Sequence, residues 1–99
     1  MRLVAFSLST LTKSTLVHFT LYSRSYCHLC DDMIEALQAL RSEYPFALEI
    51  VDVDADDGLV AQFDELVPVL VGSKDNATTV QLCNYFLDEA KVRDFLGAP

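Results

Sequence analysis

Leu16-Val17-His18-Phe19-Thr20-Leu21-Tyr22, closely followed by Tyr26-Cys27-His28-Leu29-Cys30, is the stretch on which the fold turns. The first run is apolar and β-rich and reads as a strand. Behind the cysteines, Leu29, Met33, Leu37, Leu40 and Tyr44 recur at helical spacing. Cys27 and Cys30 therefore fall where a strand has ended and a helix begins. A helix start leaves backbone N–H groups unpaired and presents the positive end of the dipole. A thiolate placed there is stabilised, and its pKa falls. The two-residue spacing lets the second thiol fold back onto the first and close a disulfide.

Other readings of the pair fare less well. A zinc site needs two further Cys or His ligands. Only Cys83 and His18 are left besides His28, and they are not paired in sequence. A purely structural disulfide would close a tiny loop and gain little from chain entropy. Redox chemistry is the reading a CxxC beside a βαβ pattern supports best.

Charge narrows the partners. The net charge is −8, and a nucleic-acid binder needs a basic face. All fifteen carboxylates follow the cysteine pair, beginning with Asp31. Arg24 and His28 bring positive or polarisable groups close to Cys27 and favour its thiolate, so Arg24 is the expected electrostatic tuner. Asp31 and Asp32 oppose that effect and act chiefly as acids at a helix start. Three cysteines in ninety-nine residues do not make a secreted disulfide scaffold, and no apolar run spans a membrane. The expectation is one cytoplasmic domain over residues 16–99, preceded by an N-terminal arm at 1–15. It is expected to be monomeric, with no nucleic-acid or membrane partner.

Downstream, Pro45 stops the helix, and Phe46 to Val53 reads as a strand suited to an inner or parallel position. Asp56 or Asp57 caps a short helix with Leu59, Val60, Phe63 and Leu66 along one side. The acidic run from Asp52 lacks the glycine and the terminal glutamate of a calcium loop. Leu66 to Gly72 reads as a strand opened by Pro68, and Thr78 to Tyr85 as its hairpin partner, with Cys83 a small strand hydrophobe. Asp88 caps a last helix, Leu87 and Val92 staple it, and Gly97 ends it. The order is β-α-β-α-β-β-α.

That order, with Tyr26-Cys27-His28-Leu29-Cys30 after the first strand and Val67-Pro68-Val69 opening the third, resembles the thioredoxin superfamily. It is most similar to a glutaredoxin-like protein of the small bacterial CxxC type. The resemblance implies an α/β thioredoxin-like sandwich, a four-stranded mixed sheet flanked by helices. It also implies thiol–disulfide exchange, with Cys27 attacking a disulfide and Cys30 resolving the mixed disulfide. In that family the proline is cis and faces the dithiol. Val67 would offer its backbone to substrate, and Pro68 would shield the sulfurs from metals. Tyr26 and His28 complete the substrate-binding residues, Tyr26 as a rim residue and His28 as a pKa-lowering group or a solvent-facing spacer. The expected substrate is a disulfide-containing protein or a low-molecular-weight thiol, with no tightly bound cofactor or metal. Glutathione is the candidate reductant, beside a thioredoxin reductase. Glutaredoxins carry a Gly-Gly pair and two acids before the last helix. Here Asp88 and Glu89 supply the acids, while Tyr85, Phe86 and Leu87 stand where the glycines would be. A second class stays open: a binding module on the same fold whose dithiol is vestigial or holds a metal or partner.

Overall fold

The computed structural model describes residues 17–74 and 78–97. The arm expected at 1–15 lies outside them. Strand β1 (Val17–Ser23) leads into helix α1 (His28–Arg41), then β2 (Ala47–Asp52), helix α2 (Asp57–Phe63), β3 (Val69–Lys74), β4 (Val80–Asn84) and α3 (Glu89–Leu96). The sheet order is β2-β1-β3-β4. β1 pairs with β2 in parallel and with β3 antiparallel, and β3 pairs with β4 antiparallel. This is the mixed sheet of a thioredoxin-like α/β fold.

Each face of the sheet has its own apolar cluster. Val17, Phe19 and Leu21 alternate along β1 and point to one side, as strand periodicity requires. There they meet Met33, Leu37 and Leu40 of α1, Leu70 of β3, Leu82 of β4 and Val92 of α3. Phe19 is wholly buried, edge-on to Phe46 with centroids 4.9 Å apart. Gly72 has no side chain because the Phe95 ring lies on it; a Cβ there would come within 2.7 Å of that ring. The other cluster joins Cys30, Val53, Phe63, Val67 and Val69, with Tyr22 stacked on Phe63 at 4.5 Å.

Of the inner or parallel position expected for β2, the structure shows the parallel one, at the sheet edge, with Ile50 46 % exposed. The strand's apolar run reflects β propensity without burial on both faces. Two other expectations need correction. Val53 does not continue the strand. It enters a short 3-10 turn, Val53–Ala55, capped by Asp52, whose side chain accepts the Asp54 N–H at 2.9 Å. Leu66 belongs neither to α2 nor to β3. The helix ends at Phe63, the strand starts at Val69, and Leu66 is left in an exposed turn.

The caps follow the sequence closely. Asp56 accepts the N–H groups of Gly58 and Leu59 at the start of α2. Asp88 accepts the Lys91 N–H at 3.1 Å at the start of α3, which ends on Gly97 with φ 82°. Asp88→Ala should therefore lower stability by about 1 kcal/mol in urea unfolding, the usual worth of an N-cap.

Candidate active site

The site is built at one end of the sheet by its topology. β1 and β2 run toward this end, β3 starts from it and β4 returns to it. The β1–α1 loop thus meets the α2–β3 loop, which carries Val67 and Pro68. Cys27 is the N-cap of α1 rather than part of its first turn, and its backbone is extended. The Cys30 backbone N–H donates to Cys27 Sγ at 3.1 Å. One of the orphan donors of the helix start is thus satisfied by sulfur. Cys27 and Cys30 form a disulfide, with Cα atoms 5.2 Å apart. Cys30 is buried and Cys27 is partly exposed. Both pack on the cluster that contains Val67.

The Val67–Pro68 peptide is cis, and Pro68 is fully buried. His28, the first residue of α1, is exposed, as are Asp31 and Asp32. Tyr26 projects wholly into solvent from a backbone at φ 57°. That left-handed conformation costs a non-glycine residue about 1–2 kcal/mol.

Arg24 does not stand as an unpaired cation beside Cys27. Its guanidinium donates to both Asp54 oxygens, at 2.7 and 3.3 Å, and to the side chain of Asp64 at 3.2 Å. It also donates to the Asp64 carbonyl at 3.1 Å. The hydrogen bond to Arg24 holds the Asp54 carboxyl below its usual range, and the bonds to Asp54 and Asp64 raise the guanidinium in turn. The group is solvated, so its worth is anchoring rather than large stability. It ties the loop leading to Cys27 to the 3-10 turn and to the end of α2. Asp54 and Asp64 lie 30 and 40 residues away in sequence, and no local pattern announces them.

Tyr85 is the other residue whose part the sequence conceals. It takes φ 65°, a backbone that favours glycine. Its N–H donates to the Pro68 carbonyl at 2.9 Å, and its hydroxyl to the Glu65 carbonyl at 2.8 Å. The β4–α3 loop is thus docked on the turn beside the cis proline. Asn84 Nδ2 reaches the Leu66 carbonyl at 3.5 Å. Cys83 lies behind this loop, half-buried in β4. Burial pushes its thiol up, partly offset by the Asp88 backbone N–H. A groove of about 370 Å³ there is lined by Cys83, Asn84, Phe86, Asp88 and Lys91, and by neither disulfide cysteine. Among the described residues no three His, Cys, Asp or Glu side chains gather as a metal site, and no helix is long and apolar enough to cross a membrane.

A thioredoxin-like fold with a Cys-x-x-Cys disulfide at a helix N-terminus, beside a cis proline, defines a class of redox-capable proteins. Residues 18–97 match the family described as Glutaredoxin-like domain (DUF836), and the chain belongs to it. Protein Ne2328 from Nitrosomonas europaea, solved by NMR, is 30 % identical with a TM-score of 0.73, over 85 % of this chain and 95 % of that one. Protein XcR50 from X. campestris is 33 % identical with a TM-score of 0.59, over 82 % and 99 %. Fasciola hepatica thioredoxin, at 21 % identity and TM-score 0.63 over 83 % and 79 %, shares the fold. No curated protein matches the chain.

Proposed function

We propose that this protein is a cytoplasmic thiol–disulfide oxidoreductase in which Cys27 is the nucleophile and Cys30 the resolving thiol. The observation that carries this reading is the Cys30 N–H donated to Cys27 Sγ at the start of α1. In the reduced state the same donor and the helix dipole favour a thiolate on Cys27. Cys30 has no such exposure, and its part is to attack Cys27 Sγ once that sulfur is bound to a partner. Val67 and Pro68 form the wall against which substrate backbone lies, with Tyr26 and His28 on the open side. Arg24 acts through the loop it anchors, its charge being shared with Asp54 and Asp64.

The test is a comparison of reductants on the purified disulfide form: glutathione against a thioredoxin reductase system, with turnover of a small disulfide as the readout. Turnover with either supports the reading. Failure with both, and with dithiothreitol as a direct reductant, contradicts it and favours a non-catalytic module.

Glutathione is expected to bind weakly. Tyr85 and its docked ring occupy the corner where a glycine pair would let the ligand approach, and the acidic surface repels an anion mildly. Asp88 and Glu89 at the start of α3 leave some residual capacity. Titrating glutathione into Cys30→Ser and following amide shifts should give no saturation at micromolar ligand. Saturation there, with shifts centred on Val67 and Asp88, would contradict the expectation.

A further inference from the structure

Among the described residues, acids are concentrated at one end of the sheet. Residues 24–32, 52–68 and 85–91 form the end that carries the disulfide, because the strands bring them there. Those segments hold ten of the chain's fifteen acids and two of its seven cations, Arg24 and Lys91. Those segments sum to −8, and one of their acids, Glu89, is paired with Arg93 from just outside them at 2.8 Å. Arg24 is already shared by two of those acids. The same end exposes large apolar side chains. Tyr26 is 106 % exposed, Phe86 69 %, Tyr85 40 % and Leu66 39 %. Tyr26 precedes Cys27, and the other three lie on the two loops joined to each other beside Pro68. Isolated exposed aromatics are ordinary, but several gathered on the loops of the end that carries the disulfide mark an interaction surface.

We infer that the substrate of this site is a polypeptide disulfide flanked by basic residues. The inference rests on the oxidoreductase reading and narrows it. Exposed apolar side chains on the loops of this end fit side chains next to a disulfide, which a small thiol lacks. The surrounding acids select lysine or arginine next to them and repel acidic partners. In the step itself the Cys27 thiolate attacks one sulfur of the partner disulfide. That bond breaks, the mixed disulfide forms, and the second partner sulfur leaves as a thiolate and takes up a proton. Cys30 then loses its proton and attacks Cys27 Sγ. The Cys27–Cys30 bond forms, and the first partner sulfur leaves and is protonated. The partner gains two electrons and the protein loses two; an external thiol reductant restores the dithiol.

The experiment uses the reduced full chain and two disulfide-linked peptides that share apolar residues, one flanked by lysines and one by glutamates. A small neutral disulfide, hydroxyethyl disulfide, is the third substrate. Each rate of Cys27–Cys30 formation is divided by the rate of dithiothreitol with the same substrate, which removes intrinsic reactivity. At low ionic strength the basic peptide should react at least about tenfold faster than the acidic one, in the range of electrostatic steering. The ratio should collapse toward one in about 1 M salt. Phe86→Ser should slow both peptides by about threefold to tenfold. Equal rates for the two peptides, with normal reaction of the neutral disulfide, would overturn the inference and leave the oxidoreductase reading standing. Wild-type peptide rates in Phe86→Ser would remove the exposed apolar side chains from it. No reaction with any of the three substrates would overturn the oxidoreductase reading itself.

Discussion

Cys27→Ser should abolish disulfide exchange, by at least about three orders of magnitude, as expected when an enzyme's only nucleophile is removed. The serine hydroxyl can still accept the Cys30 N–H and cap α1, so the fold should survive and the loss is chemical. Cys30→Ser should behave differently. It keeps the attacking sulfur and its helix-start environment but has no resolving thiol. The first step then proceeds and the mixed disulfide accumulates, visible by mass spectrometry as a stoichiometric adduct. If Cys27→Ser also accumulates adducts on Cys30, the roles of the two sulfurs are reversed.

The second large effect is on stability. Phe19 sits in the middle of the central strand β1, wholly buried, with Phe46 edge-on at 4.9 Å and Phe95 at 6.0 Å. Phe19→Ala removes the ring and leaves a cavity walled by two other rings and by α1. Such changes cost about 3–5 kcal/mol. Domains of this size have total stabilities of about 5–15 kcal/mol. The variant should therefore lose about a fifth or more of its stability in urea unfolding, or fail to fold at 37 °C. Leu66→Ala, in an exposed turn, serves as the control and should shift the urea midpoint little.

The sequence exposes most of this architecture because its signals are local. The alternation in β1, the helical spacing after Cys30, and Asp88 and Gly97 at the ends of α3 are each set within a few residues. The cis state of Val67–Pro68 follows from the resemblance to the thioredoxin superfamily, and the structure has it. What escapes local reading is long-range. The edge position of β2 depends on where β3 inserts, and β3 pairs with β1. Arg24 reads as a lone cation before Cys27 because Asp54 and Asp64 lie far along the chain. Tyr85 reads only as a missing glycine. Its left-handed backbone is held by hydrogen bonds to Glu65 and Pro68, which no pattern in residues 80–89 could supply. The concentration of acids at the disulfide end is also a product of topology, since the acids at 52–65 and 88–89 come to the same end as Asp31 and Asp32 only after the sheet has formed.

The most direct test of the account is the order in which the thiols react. The reduced protein is treated near neutral pH with less than one equivalent of iodoacetamide, and the label is mapped on its peptides. Cys27 is part-exposed at the helix start, Cys30 is buried, and burial pushes the Cys83 thiol up. The label should therefore fall on Cys27, with Cys30 and Cys83 unmodified. Labelling that falls first on Cys30 or Cys83 would contradict the account.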